Sequence, residues 1–198
     1  KEKVWKTVCS RKTGKEAEEI ARLSGMKAYF AKEIDYGGGE YGVAILSKFL
    51  MEKNEKNPLP TAEGTGGEHR TLATVVINLP RNKTIVFACT HLDAQKNDTN
   101  RLLQIQKIAD ILEGEKLPVI IAGDFNSTTS SSVINILAKY FIRTCSDCGF
   151  TIPVSSPTKT IDFIAYKPSD KFTVLEQKVI DEQYASDHRP VEALLKIK

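Results

Sequence analysis

Apolar residues recur along this chain at two spacings, one typical of helices and one typical of strands. In the segment Gly14 to Met26, Ala17, Ile20 and Ala21 lie three or four positions apart and Gly25 follows, which predicts a helix that ends at this glycine. The same spacing predicts two more helices: Asn100 to Glu113, capped by Asp98 or Thr99, and a shorter one capped by Ser130, Ser131 or Ser132.

Runs rich in β-branched and aromatic residues predict strands. Thr71 to Leu79 and Thr84 to His91 are separated by four residues, which favours a hairpin. Asn57 to Gly67 is rich in Pro and Gly and is predicted to be a loop. The mixture of helices, strands and a hairpin predicts sheets packed together and flanked by helices, not a doubly wound parallel fold. The other predicted strands are Tyr29 to Ile34, Tyr41 to Ser47, Pro118 to Ala122, Ile161 to Tyr166, Phe172 to Ile180 and Val191 to Ile197.

Composition narrows the class of protein. The 198 residues suit a single domain with one core. The proportions of 41% hydrophobic and 27% charged residues exclude a disordered chain, a collagen and a coiled coil. No run of about 18 apolar residues is present, so no membrane span is predicted.

The charge is weakly informative. Lys and Arg total 28, Asp and Glu total 25, and the formal net charge is +3. This balance is compatible with a phosphate-bearing substrate but lacks the basic excess of a dedicated nucleic-acid binder. No stable protein partner is indicated.

Four cysteines, Cys9, Cys89, Cys145 and Cys148, are too few for a disulfide scaffold. The last two form a single CxxC motif with no second pair or nearby His, so zinc binding is weakly indicated. A redox motif would need a strand-to-helix context that is missing there. We therefore expect a surface loop before Gly149, and we expect Cys89 to be a small core residue.

The chain begins at Lys1 with no Met and no apolar signal segment. We expect the natural start to have been removed. The compartment stays open, and a secreted or periplasmic location follows if an export signal was removed.

Polar residues gather where apolar strands end. Three such segments are Thr90-His91-Leu92-Asp93, Gly123-Asp124-Phe125-Asn126-Ser127 and Ser186-Asp187-His188-Arg189-Pro190. Asp162 lies among aliphatic residues within a strand, which is costly unless its charge is paired. Each feature alone is also explained by packing or by a turn. Together they supply two His, four Asp and one Asn, which suits a metal-assisted hydrolytic site.

Phosphate ester cleavage needs these groups. It requires an in-line oxygen nucleophile, charge stabilisation at the phosphoryl oxygens and a stabilised leaving group. Carboxylate oxygens hold Mg²⁺. An imidazole paired with an Asp keeps its orientation and exchanges a proton near neutral pH.

On these motifs the sequence resembles the endonuclease/exonuclease/phosphatase superfamily, the deoxyribonuclease-I-like proteins, from about Gly14 to the C-terminus. The resemblance implies a four-layer α/β (α+β) sandwich in which two mixed β-sheets pack face to face between flanking helices. The matching segments are Tyr41-Gly-Val-Ala-Ile-Leu-Ser47, Thr90-His91-Leu92, Gly123-Asp124-Phe125-Asn126, Ile161-Asp162-Phe163-Ile164 and Ser186-Asp187-His188-Arg189-Pro190.

The resemblance also implies hydrolysis of a phosphomonoester or phosphodiester that depends on Mg²⁺ or Mn²⁺. His188 and Asp162 would form a pair in which His188 activates water or stabilises the phosphoryl group. Asp124 would orient or deprotonate the attacking water. Asn126 would hold the nucleophile or a phosphoryl oxygen.

Three further roles follow from the same resemblance. His91 would donate a hydrogen bond to the phosphate or act in acid catalysis. Asp187 would bind the metal, directly or through water. Arg70, in Glu68-His69-Arg70-Thr71, would contact the phosphate, although an exposed Arg is more often only solvated.

One departure concerns the N-terminus. Members of the superfamily usually begin with a strand carrying an Asn and a strand ending in Gln-Glu, whose Glu binds metal. Here Lys3 to Gly14 resembles the stretch that follows that Glu. We therefore expect residues 1–198 to form one N-terminally incomplete domain, trimmed rather than naturally short; a native truncation would expose sheet edges and weaken metal binding. The glutamates near the start, all without that strand context, are Glu2, Glu16, Glu18 and Glu19.

The leading functional hypothesis is a metal-dependent phosphoesterase. Its substrate stays open among nucleic acid, a phospholipid head group and a small phosphorylated molecule. The alternative is a catalytically weakened scaffold that binds a phosphorylated partner, which the missing Glu favours and the retained His and Asp residues oppose. A non-enzymatic domain whose polar residues only cap strands is the third hypothesis.

Overall fold

The computed structural model describes the backbone of residues 7–198 and the side chains from residue 13 onward. Its helices confirm the predicted positions. They are α1 (Gly14–Ser24), α2 (Thr99–Glu113) and α3 (Ser132–Tyr140). The strands of the described residues are β1 (Thr7–Lys12), β2 (Lys27–Tyr36), β3 (Gly39–Ser47), β4 (Leu50–Leu59), β5 (Arg70–Leu79), β6 (Lys83–His91), β7 (Val119–Asp124), β8 (Ile142–Arg143), β9 (Asp162–Lys167), β10 (Phe172–Val179) and β11 (Val191–Ile197).

The N-terminal end of α1 is fixed by local hydrogen bonds. The Thr13 side chain accepts from the backbone N–H of Glu16, and the Glu16 carboxylate accepts from the backbone N–H of Thr13. Gly25 ends the helix in the left-handed conformation, with φ of 64°. Glu16, Glu18 and Glu19 therefore belong to the helix predicted over Gly14 to Met26, whereas Glu2 lies outside the described residues.

A six-stranded mixed sheet forms the centre of the molecule, in the order β4-β5-β6-β7-β9-β8. β5 and β6 form the predicted hairpin. β6 and β7 run parallel, and β9 runs antiparallel to β7. The carboxyl ends of β6 and β7 therefore meet the start of β9 at one end of the sheet.

The opposing strands, within residues 7–198, form two smaller sheets. One has the order β1-β3-β2 and the other pairs β10 with β11. β1 was not predicted, and it pairs antiparallel with β3 through Thr7 to Lys12. The earlier residues of the Lys3 to Gly14 segment lie outside the described residues.

The core confirms four layers. One apolar cluster joins α2 and α3 to a face of the six-stranded sheet, through residues such as Ile105, Leu137 and Ile121. A second fills the space between that sheet and the opposing strands, through residues such as Val75 and Ile45. A third cluster packs α1 on the outer face of β3. No described helix has the length and apolar character needed to cross a bilayer.

The predicted loop Asn57 to Gly67 is wrong over its first part. β4 extends to Leu59 and pairs with β5 through Leu59 and Arg70. The strand was missed because it lies at the edge of the sheet and carries Glu and Lys at exposed positions. Edge strands commonly carry charged residues and tolerate Pro, and β4 contains Pro58.

The CxxC motif is a disulfide between Cys145 and Cys148, with Cα atoms 5.1 Å apart. The bonded pair offers no thiolate for zinc in this state, and the bond itself was not predicted, because the strand-to-helix context of a redox motif is missing there. Cys89 is buried in β6, as predicted, but it too is disulfide-bonded, which was not predicted. The side chain of Cys9 lies outside the described residues.

Candidate active site

Strand register places three of the predicted site residues in a row. His91 ends β6 opposite Asp124 at the end of β7, and Asp124 lies opposite Asp162 at the start of β9. All three belong to neighbouring strands of one sheet and lie at the same end of it. The sequence predicted this gathering because polar residues followed two of the apolar strands and Asp162 lay among the apolar residues of a third.

The predicted His188–Asp162 pair is present. His188 Nδ1 lies 2.9 Å from Asp162 Oδ2 and 3.2 Å from Oδ1, so the ring donates to the carboxylate. Nδ1 also lies 3.8 Å from Asp124 Oδ2. The ring is largely buried, with 10% of its side chain exposed, and its Nε2 lies 3.9 Å from Asp187 Oδ2.

Two contacts hold the loop that carries His188. The Ser186 hydroxyl accepts a hydrogen bond from the His188 backbone N–H at 3.2 Å. The next residue, Arg189, donates from its backbone to Thr151 and from its Nε to the Val154 carbonyl. The loop is therefore attached to the segment that precedes β9.

The Gly-Asp-x-Asn segment forms a tight turn after β7. Asn126 adopts a left-handed conformation with φ of 46°, and its backbone N–H donates to Asp124 Oδ1 at 2.8 Å. Its side-chain amide donates to the Leu92 carbonyl at 2.8 Å, so Asn126 joins the ends of β6 and β7. A Cβ on Gly123 would lie 2.1 Å from the Thr90 carbonyl oxygen, so this close approach requires glycine.

His91 is buried between Arg70 and Asp124. Arg70 Nη1 lies 2.8 Å from His91 Nδ1, and His91 Nε2 lies 3.7 Å from Asp124 Oδ2. The ring of Tyr41 approaches His91 edge-on at a centroid distance of 6.3 Å. Both ring nitrogens of His91 therefore face charged groups.

Arg70 is 4% exposed, so it is not a solvated surface residue. Its Nη1 lies 3.2 Å from Glu33 Oε2, and its Nη2 donates to Glu68 at 2.7 Å. The structure thus places Arg70 beside the site through His91. Its contact with phosphate remains a prediction.

Sequence reasoning missed Glu33. In β2 it stands beside Lys32 and two residues before Asp35, and such a cluster of charges is typical of a solvated strand. A register shift between Lys32 and Ile34 places it at a β-bulge, and bulges redirect side chains. Its side chain is completely buried, and burial raises its pKa to about 7, against the opposing effects of Arg70 and the Thr71 N–H.

Among the described residues, Asp124, Asp162 and His188 form a group that could hold a metal ion, because one ligand atom of each lies within 4.8 Å of the others. His188 Nδ1 already donates to Asp162, so carboxylate oxygens are the ligands compatible with that pair. Such oxygens suit Mg²⁺ or Mn²⁺. Asp187, the predicted metal ligand, lies outside this group with 78% of its side chain exposed.

The arrangement therefore gathers most of the predicted residues at one end of the sheet. It offers oriented carboxylates, one imidazole paired with an acid and a second imidazole held by a guanidinium. These groups can orient water, move a proton and stabilise negative charge on a phosphoryl group. The residues brought together are His91, Asp124, Asn126, Asp162 and His188, with Arg70 behind His91 and Asp187 at the rim.

Comparison with known proteins agrees with this fold. The model of the endonuclease/exonuclease/phosphatase family matches residues 12–188. A functionally unknown conserved protein from Enterococcus faecalis superposes with a TM-score of 0.83 at 19% identity, over 98% of this chain and 86% of that chain. No curated protein sequence matches this chain significantly.

Two other similar structures have named activities or families. A mannosyl-6-phosphatase from Bacteroides thetaiotaomicron has a TM-score of 0.80 at 17% identity, over 96% of this chain and 85% of that chain. The human nocturnin catalytic domain, solved with a bound sulfate, has a TM-score of 0.74 at 19% identity, over 97% of this chain and 81% of that chain. At these identities the likeness establishes the fold alone.

Proposed function

Because the chain belongs to the endonuclease/exonuclease/phosphatase family, we propose that it is a metal-dependent phosphoesterase that cleaves a phosphomonoester or phosphodiester by in-line attack of water. The observation that carries this proposal is the close approach of Asp124, Asp162 and His188 at one end of the central sheet. Such a group serves both proton transfer and charge stabilisation.

Asp124 and Asp162 would hold the metal through their oxygens, with Asp187 near the rim. A bound cation would supply positive charge at the phosphoryl oxygens and lower the pKa of a water molecule. Either Mg²⁺ or Mn²⁺ fits these ligands.

The chain's own residues would perform the other steps. Asp162 fixes the ring of His188 so that it accepts a proton from water or stabilises the phosphoryl group. Asp124 lies within 4 Å of both imidazoles and orients the water. Asn126, held in its turn by Asp124 and Leu92, lies beside these groups and would contact the phosphate.

The substrate is a phosphate ester whose class stays broad: nucleic acid, a phospholipid head group or a small phosphorylated molecule. The mannosyl-6-phosphatase among the similar structures makes a phosphomonoester worth testing first. The low formal charge of +3 argues mildly against a long polyanion as the main substrate.

Hydrolysis of p-nitrophenyl phosphate and bis-(p-nitrophenyl) phosphate, with Mg²⁺, Mn²⁺ or EDTA, tests the proposal. We expect metal-dependent turnover that His188→Ala and Asp124→Ala each reduce by about 100-fold or more. His69→Ala and Asp110→Asn are matched controls at exposed positions. Turnover that is unaffected by EDTA, or that persists in either site variant, would contradict the proposal.

The second candidate is a scaffold that binds a phosphorylated partner. It is favoured by the position of Asp187, the predicted metal ligand, which is 78% exposed and lies outside the group formed by Asp124, Asp162 and His188. Saturable binding of phosphate compounds without turnover of any of them would support it.

A further inference from the structure

Glu33 and Arg70 form a buried ion pair directly behind His91. Glu33 Oε2 lies 3.2 Å from Arg70 Nη1, and the two side chains are 0% and 3% exposed. Glu33 Oε1 accepts from the Thr71 N–H at 3.0 Å, and Arg70 Nη2 donates to Glu68. Burying such a pair costs free energy that replacement by apolar residues would avoid. Its presence at this place therefore points to a role beyond stability.

The contact between Arg70 and His91 determines where the imidazole carries its proton. A guanidinium has N–H donors and no acceptor, so His91 Nδ1, 2.8 Å from Arg70 Nη1, must be the acceptor. The proton of the neutral ring is then on Nε2, the nitrogen that lies 3.7 Å from Asp124 Oδ2. A doubly protonated ring would lose this hydrogen bond and place two cations in contact.

Glu33 reaches this position from the opposing sheet. The bulge in β2 turns its side chain toward β5, where its two oxygens meet Arg70 and Thr71. The carboxyl group thereby fixes the plane of the Arg70 guanidinium and, when ionised, balances its charge. Hydrogen bonds therefore connect His91 to Arg70 and Arg70 to Glu33, from the candidate active site into the space between the sheets.

We propose that Glu33 and Arg70 are positioning residues that hold His91 as its Nε2–H tautomer. His91 would then donate a hydrogen bond to a phosphoryl oxygen instead of delivering a proton from a charged ring. This inference rests on the proposed phosphoesterase function for its catalytic consequence, whereas the tautomer itself is a property of the folded chain.

The tautomer can be measured without any substrate. The chain has three histidines, so ¹⁵N-imidazole NMR spectra at neutral pH can be assigned with His69→Gln and His91→Gln variants. We expect His91 to give the pattern of a neutral ring protonated at Nε2. A ring protonated at Nδ1, or at both nitrogens, would overturn the proposal.

A paired substitution tests the cause. Glu33→Gln with Arg70→Met removes both charges together, so no buried ion is left unpaired. We expect His91 to lose its tautomer preference while the His188 signals stay unchanged. Asp35→Asn is the matched control, because it removes an exposed carboxylate from the same strand. An unchanged His91 pattern in a folded paired variant would refute the positioning role.

Arg70→Lys separates the donor from the wider geometry. Lysine still offers a donor to His91 but cannot also reach Glu33 and Glu68 as a planar fork does. We expect it to retain the Nε2–H tautomer partly, with a kcat between those of the wild type and the paired variant. If Arg70→Lys behaves like the paired variant in both measurements, a donor at this position is not what fixes the ring.

Kinetics provide the remaining readout. The paired variant should lower kcat by about 10- to 100-fold, the usual effect of losing a partner that orients a catalytic ligand, with a smaller change in KM. An equal kcat with a raised KM would instead indicate that Arg70 contacts the substrate. A chain that hydrolyses no phosphate ester but shows the Nε2–H tautomer would refute the proposed function and leave the positioning inference intact.

Discussion

His188 and Asp162 are joined by a 2.9 Å hydrogen bond although they belong to different parts of the fold. Asp162 begins a strand of the central sheet, whereas His188 lies in the loop before β11. The carboxylate is 19% exposed and the ring 10%, so the bond is partly shielded from water. This shielding makes the pair an effective orienting contact.

Replacing Asp162 by Asn should separate orientation from charge. The amide can still contact the ring, but it can present its NH₂ donors to Nδ1 and thereby favour the wrong tautomer. We expect kcat on a p-nitrophenyl phosphate ester to fall by about 100-fold or more, with little loss of thermal stability. Asp170→Asn, at an exposed position, is the control. An Asp162→Asn enzyme with normal kcat would show that the pair is structural.

Gly123→Ala should disrupt the parallel pairing of β6 and β7. The added Cβ would lie 2.1 Å from the Thr90 carbonyl oxygen, which is backbone and cannot rotate away. We expect a loss of about 1–3 kcal/mol or more in the free energy of unfolding, measured with urea. Gly114→Ala is the matched control because nothing lies within 4 Å of its added Cβ and its φ is negative. Equal stability of the two variants would contradict the assigned close approach.

Asn126 combines a backbone role with a side-chain role, and two substitutions separate them. Its φ of 46° is costly for Ala and easy for Gly. We therefore expect Asn126→Ala to be less stable than Asn126→Gly by about 1 kcal/mol in urea unfolding. Both variants should lose activity, because both lose the amide that bonds Leu92. A fully active Asn126→Gly would show that only the turn matters.

Glu33 should make stability depend on pH. Burial raises its pKa to about 7 from an ordinary 4.5, so the folded chain holds this proton at pH values where the unfolded chain has released it. The resulting stabilisation is complete below about pH 4.5, falls as pH rises and is lost above about pH 7. Among the residues whose side chains the structure describes, the charged groups that face Glu33 are Arg70 and Glu68, and Arg70 opposes the rise in pKa.

Urea unfolding of the wild type and Glu33→Gln across this pH range measures the effect. The difference in unfolding free energy between the two proteins should change by about 1–3 kcal/mol between pH 4.5 and pH 7. Asp35→Asn should follow the wild type, since Asp35 is exposed. A difference that stays constant over this range would show that Glu33 has an ordinary pKa.

The local pattern of residues was sufficient for most elements. Helix α1 has its capping box and terminal glycine within the sequence itself, so its position follows from local hydrogen bonding and backbone freedom. The β5–β6 hairpin likewise follows from two apolar runs and a short connection. Strand β4 could not be predicted in this way. It lies at the edge of the sheet, and whether such a segment forms a strand depends on the neighbour that pairs with it, here β5.

For the candidate site, the sequence by itself determined which residue types stand at strand ends and therefore which groups are available for chemistry. Only the tertiary structure decided their partners. It joined His188 to Asp162 and placed Arg70 against His91, and it turned Glu33 inward through a bulge. The physical reason is that periodicity within a strand reports the burial of one face. The partner of a buried charge is set by register, bulges and sheet packing between segments that are distant in the chain.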